Sequence, residues 1–157
     1  MKILAFESSA KAASTALLSD GLLLAEYTQN SGQTHSRTLM QMAKDMLTSC
    51  DLTPQDIGAV AAGPGSFTGV RIGMACAKGF AWGLQLPLYG VSTLEAMTRG
   101  AAYADGIYCA CMDARKQQIY NAVFSLQAGK LTRLTDDRAI AIDALVPELS
   151  EGAGPIY

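Results

Sequence analysis

The sequence predicts a mixed α/β protein with helices on the faces of its sheet, followed by a second, strand-rich block. Three observations carry this. Asp20-Gly21 lies between two apolar runs, the two-residue signal of a β-hairpin. After that hairpin, strand and helix periods alternate as far as Ala104. From Asp105 the pattern returns to strands.

Taken in order, "KILAFESS" is a first strand and turn, and "STALLSDGLLLAEYT" is the hairpin. In "SGQTHSRTLMQMAKDMLTSC" the period changes. Leu39, Met42, Ala43, Met46 and Cys50 fall at helical spacing, with Thr34 or Ser36 as N-cap. Thr53-Pro54 reads as a cap followed by proline at the first helical position. "IGAVAAG" is a short buried strand, and the helix after it runs to about Gly83, before Pro87. "LPLYGVS" is a further strand. "STLEAMTRGAAYA" is a further helix, with Ser92 or Thr93 as cap and Glu95 in its first turn. In the second block, "GIYCACMDARKQQIYNAVFSL" gives two strands joined by a polar turn at Asp113 to Lys116. "QAGKLTRLT" gives a turn and a third strand, and "AIDALVPELS" a short helix that Pro147 must end or kink. The final "EGAGPIY" reads as a glycine turn, so the second block resembles half a domain and the chain is expected to be truncated. The predicted division is 1–104 and 105–157.

Composition narrows the function classes. Of the 157 residues half are hydrophobic and 17% charged, which suits a protein with a real core. The net charge of -2 argues against a chain that grips nucleic acid by itself, because phosphate neutralisation supplies most non-specific affinity. The start "MKILAFESSAKAAS" has too short an apolar run for a signal peptide or a membrane span, which predicts a cytoplasmic protein. The four cysteines form no C-x-x-C pair. Cys109 and Cys111 share a face if their run is a strand, and the reading they invite is that of buried small hydrophobes.

The segment "AVAAGPGSFTGVRIGMACAKG" has the strand, glycine turn and helix of a phosphate cradle. It fails the P-loop spacing, since no Lys-Ser/Thr pair follows. A dinucleotide fingerprint needs a glycine at Thr68, and Pro64 removes a backbone N–H from the cradle. Gly69, Gly73, Ala77 and Ala81 instead recur every four residues. Helix-interior glycine costs about 1 kcal/mol relative to alanine. A ridge of small residues therefore points to close packing against another element, within the fold or across an interface. Met40, Met42 and Met46 on the preceding helix offer an adaptable apolar face. No catalytic or metal site is expected. His35 is the only histidine, Leu39 stands four residues on, and no nucleophile elbow surrounds Ser66.

"GPGSFTGVRIG", "HSRTL", "YGVSTLEAM" and "MDARKQQIY" together resemble the TsaB (YeaZ) family of bacterial tRNA threonylcarbamoyladenosine biosynthesis proteins. The resemblance implies a two-lobed fold of the actin, Hsp70 and sugar-kinase type (ribonuclease H-like). It implies a non-catalytic subunit that pairs with a TsaD-type catalytic paralogue and acts with a TsaE-type ATPase. ATP and metal are then expected on the partner subunits, tRNA is met only through the complex, and the pairing surface serves heterodimer and homodimer alike. His35 matches the start of the paralogue's metal-binding helix, with Leu39 where the second ligand would stand. Glu7-Ser8-Ser9 replaces the usual aspartate of the first phosphate loop. The family's pairing surface carries over to the helices at 36–49 and 68–83. The expected contact residues are Leu39, Met42, Met46, Gly69, Gly73, Ala77 and Ala81. The alternatives are an ATP-using phosphotransferase or glycoprotease-like peptidase, and a dinucleotide-binding domain.

Overall fold

The amino-terminal hairpin forms at Asp20-Gly21. In the computed structural model, which describes residues 1–63, 67–150 and 155–157, strands β1 (Lys2–Glu7), β2 (Ala13–Ser19) and β3 (Leu22–Gln29) run antiparallel. Asp20 and Gly21 take φ of 50° and 83°, the left-handed pair that matches strand twist in a tight hairpin. Strands β4 (Ala59–Ala62) and β5 (Leu88–Gly90) add to the other side of β1 in parallel, giving the order β3-β2-β1-β4-β5. Parallel neighbours need a crossover, and two helices supply it: α1 (His35–Ser49) before β4, and α2 (Phe67–Gly83) before β5.

The helical period of α1 sends Leu39, Met42, Ala43 and Met46 onto Leu4, Phe6 and Leu17 of the sheet. Between α1 and β4, Thr53 donates its backbone N–H and its hydroxyl to the Asp56 carboxylate, which fixes a single 3₁₀ turn at Pro54–Asp56.

The second sheet repeats the opening of the first. Strands β6 (Gly106–Arg115), β7 (Gln118–Gln127) and β8 (Lys130–Arg133) form an antiparallel meander, and Ile107 bridges Ile156 in parallel. Helix α3 (Thr93–Ala101) is capped by Ser92, whose Oγ accepts from the Glu95 N–H at 3.2 Å. Its Leu94 joins the core of Tyr108, Ala110, Ala122 and Phe124. The chain divides into two compact units, Met1–Val91 and Ser92–Tyr157, whereas the strand pattern of the sequence sets the division after Ala104.

Three further details differ from the sequence expectation. The β6–β7 turn falls at Arg115, Lys116 and Gln117, all at positive φ, rather than at Asp113 to Lys116. The Asp113 carboxylate accepts from the Arg115 N–H, which carries the strand past the polar residues before it turns. A four-residue strand β9 (Arg138–Ala141) was not expected, and it pairs with the half of β7 that β8 leaves free. Helix α4 (Ile142–Ser150) runs through Pro147. The proline removes the bond to Asp143, which is exposed, so water can satisfy the freed carbonyl. The terminal glycine turn at 151–154 lies outside the described residues.

An ionic cluster ties α3 to the strands of its own unit. The Glu95 carboxylate accepts from Arg99 at 2.8 Å and from Arg133 at 3.1 Å, and Arg133 also lies over the Phe124 ring. Arg99, and after it Arg133, hold the Glu95 carboxyl below the usual carboxylate range. A lowered folded-state pKa gives stability that is present above the unfolded value and lost as pH falls through the folded one. Because the side chain is about a third exposed, Glu95→Gln is expected to cost only about 0.5–1 kcal/mol at pH 7. The difference from the native chain should vanish well below pH 4, as read from urea midpoints at the two pH values.

Candidate functional site

The helix pair α1 and α2 has an inner face and an outer one, and the seven expected contact residues lie on the inner face. Leu39, Met46 and Ala77 are 0% exposed; Met42, Ala81 and Gly73 are buried and Gly69 is half-buried. A side chain with no exposed area has none to offer a partner. The close approach that the small-residue ridge requires is real, but what approaches is the end of β1. A Cβ on Gly69 would overlap the Ser8 carbonyl oxygen, and one on Gly73 would overlap the Ser8 hydroxyl. Ser8 is buried and its hydroxyl donates to the Gly69 carbonyl at 2.9 Å. The ridge thus seals α2 onto the turn that follows the first strand. Residues 64–66 of the glycine turn itself lie outside the described residues.

His35 also serves this junction. Its Nε2 lies 3.0 Å from the Ala10 carbonyl, which only accepts, so that nitrogen carries the proton and donates. Leu39, one turn on, is a core residue. Among the described residues no three His, Cys, Asp or Glu side chains group as metal ligands.

The outer face has a different character. Arg37, Met40, Gln41, Lys44 and Thr48 form the exposed stripe of α1, and Arg71, Ala75, Lys78, Gly79 and Trp82 that of α2. These positions are the helical complement of the buried ones, so the signal for them lay in the same period. The charged residues of the two helices are Arg37, Lys44, Arg71 and Lys78 against Asp45 alone, a basic excess in a chain of net charge -2. Between the helices runs an open, mainly apolar groove of about 730 Å³, lined by Met40, Lys44, Leu47, Leu52, Gly79, Phe80 and Gly83 among others. Trp82, the only tryptophan, is 80% exposed beside it. A Cβ on Gly79 or Gly83 would meet nothing within 4 Å. Two glycines of α2 are therefore required by the fold, and two leave the outer surface low.

Comparison with known proteins places this architecture. The family model of TsaD, tRNA N6-adenosine threonylcarbamoyltransferase, matches residues 23–154. The tRNA threonylcarbamoyladenosine biosynthesis protein TsaB of Bacillus subtilis is 35% identical over 99% of this chain and 69% of its own length. TsaB of Escherichia coli is 36% identical over 94% of this chain and 65% of its own. The solved structure of YeaZ from Pseudomonas aeruginosa superposes with a TM-score of 0.76 at 30% identity, covering 88% of this chain and 67% of that one. A dehydratase activator from Clostridium difficile, at 19% identity and a TM-score of 0.52, shares the fold alone. The chain spans about two thirds of the length of the TsaB relatives. On the matched family model, the identity across nearly its whole length and the shared fold, the chain belongs to the TsaB (YeaZ) family of tRNA threonylcarbamoyladenosine biosynthesis proteins.

Proposed function

We propose that this chain is a non-catalytic subunit of the cytoplasmic complex that forms threonylcarbamoyladenosine in tRNA, and that it pairs with a TsaD-type catalytic paralogue through the outer face of α1 and α2. The observation that carries the reading is the apolar groove between those helices, on a face with a basic excess, in a chain whose relatives are named for this modification. An exposed apolar groove rimmed by charge is the usual mark of a docking surface. The exposed cations of the two helices, Arg37, Lys44, Arg71 and Lys78, call for an acidic partner surface, and charge of that kind acts mostly on association rate. ATP and metal belong, in this proposal, to the paralogue and to a TsaE-type ATPase, and tRNA is reached only through the assembly. The same face would serve self-pairing when the partner is missing.

The experiment is co-expression with the TsaD-type paralogue, followed by co-purification and an assay of threonylcarbamoyl transfer to tRNA. A stable pair that supports transfer is the expected result. Failure of the native chain to pair or to support transfer sinks the proposal. Turnover of Mg-ATP by the purified chain alone would favour the phosphotransferase alternative instead.

A further inference from the structure

The two-residue period of β6 separates its side chains cleanly. Tyr108 and Ala110 enter the core with Leu94 and Phe124, while Cys109 and Cys111 lie together on the opposite face. Their sulfurs are 3.6 Å apart. Behind them sits Asn121 of β7, 0% exposed. Its amide nitrogen donates to Cys109 Sγ at 3.1 Å and to the Ala110 carbonyl at 3.1 Å, and lies 3.7 Å from Cys111 Sγ. The amide cannot be turned round, because Arg138 of β9 donates to its oxygen from Nε at 3.3 Å and from Nη2 at 3.2 Å. Arg138 is held in turn by Glu148. The guanidinium thus fixes the amide oxygen toward itself and the N–H groups toward the thiols. A buried amide is costly unless its polar atoms are used, and here they present a positive dipole to a pair of sulfurs.

Two chemistries suit neighbouring thiols, and geometry separates them. A disulfide needs sulfurs at about 2.0 Å and Cα atoms no more than about 7 Å apart. Residues i and i+2 of a strand are about 6.6 Å apart, at the upper end of that span, and sulfurs 3.6 Å apart would have to close by about 1.6 Å in a strand that β7 holds along its length. A bridging centre needs less movement. With metal–sulfur bonds of about 2.3 Å, sulfurs 3.6 Å apart subtend about 100° at a shared atom, close to a tetrahedral angle. Burial, and then the neighbouring Cys111, push the Cys109 thiol up to about 11. That works against a free reactive thiolate and leaves intact a reaction that consumes both groups as thiols.

We propose that Cys109 and Cys111 form a vicinal dithiol site for a thiophilic centre that needs only two protein sulfurs, monosubstituted trivalent arsenic being the fitting class. The reaction is a condensation. Each sulfur forms one bond to arsenic, the oxygen of the organoarsenic oxide leaves as water carrying the two thiol protons, and no oxidation state changes. Asn121 orients the pair through its amide N–H groups.

The probe is phenylarsine oxide, titrated into the reduced full chain and followed by intact mass and by thiol count. One adduct per chain, with loss of two thiols, is expected. It should survive excess monothiol and be stripped by a small dithiol. Cys111→Ser, at an exposed position, leaves the fold intact and is expected to weaken retention by about 100-fold, since the second bond is then lost. Cys109→Ser should do the same, and the double variant Cys50→Ser/Cys76→Ser should retain the native affinity. Asn121→Ala is checked for folding by circular dichroism before its titration is read. The proposal is overturned if the adduct is displaced by monothiol, if Cys111→Ser retains it as the native chain does, or if the loss of affinity follows Cys50 and Cys76.

Discussion

Gly69→Ala and Gly73→Ala should each lower the stability of the first unit by about 1–3 kcal/mol, the range for forcing an extra carbon into a packed site. The sign is the informative part. Alanine in place of a helical glycine ordinarily gains up to about 1 kcal/mol, so propensity alone predicts the opposite. The overlap with Ser8 must exceed that gain. The two sites also differ in what yields. At Gly69 the obstacle is the Ser8 carbonyl oxygen, which is backbone. At Gly73 it is the Ser8 hydroxyl, with the Ser8 Cβ next at 3.2 Å. Ser8→Ala removes the hydroxyl and gives up its bond to Gly69, at a cost of about 1 kcal/mol. The double variant Ser8→Ala/Gly73→Ala should therefore be more stable than the sum of its parts by about 1 kcal/mol or more. Ser8→Ala/Gly69→Ala should show little such coupling. Urea unfolding followed by circular dichroism measures the cycle. A Gly73→Ala chain as stable as the native one would show that the junction is looser than described.

On the outer face of the same helix, glycine has the opposite meaning. Gly79→Arg is expected to leave the unfolding midpoint unchanged or slightly raised, because nothing lies within 4 Å of its Cβ direction and arginine is a good helix former. The same change fills the groove between α1 and α2 and adds to its charge. It should weaken pairing with the paralogue by about 2 kcal/mol or more, roughly 30-fold, the scale of an interface hot spot. Met46→Ala provides the contrast. Buried at 0% exposure, it should cost about 2–5 kcal/mol of stability and affect pairing only as far as the fold is lost. Lys44→Glu/Lys78→Glu should slow association and flatten its salt dependence. Titration calorimetry reads the affinities of the first two, and time-resolved binding at several salt concentrations reads the third. Native pairing by Gly79→Arg would remove the outer face as the contact surface while leaving the family assignment untouched.

Much of the architecture is local chemistry and can be read along the chain. Asp20-Gly21 turns the hairpin because those residues tolerate left-handed backbone. Ser92 and Glu95 mark the start of α3 because an orphan N–H needs an acceptor. The burial of Leu39, Met42 and Met46 follows from helical period. Strand β9 escaped because "RAIA" is four residues long and runs without a break into the apolar helix that follows, and only the vacancy beside β7 makes it a strand.

The candidate site divides along the same line. The spacing of Gly69, Gly73, Ala77 and Ala81 required a close neighbour for α2, and the motifs around it pointed to the TsaB family. Spacing cannot say what the neighbour is. Ser8 lies 61 residues before Gly69, and it meets α2 only because β1 and β4 pair in parallel and so end on the same side of the sheet. Once that junction takes the small residues inward, the outer surface of the pair is left to Lys44, Lys78, Gly79 and Trp82. Cys109 and Cys111 show the same limit. Their shared face was a matter of strand period, but the amide that faces them comes from β7 and the guanidinium that orients it from β9. Sequence by itself determined which residues need a special environment; the tertiary structure decided which distant groups supply it, because those contacts exist only after the chain has closed its loops.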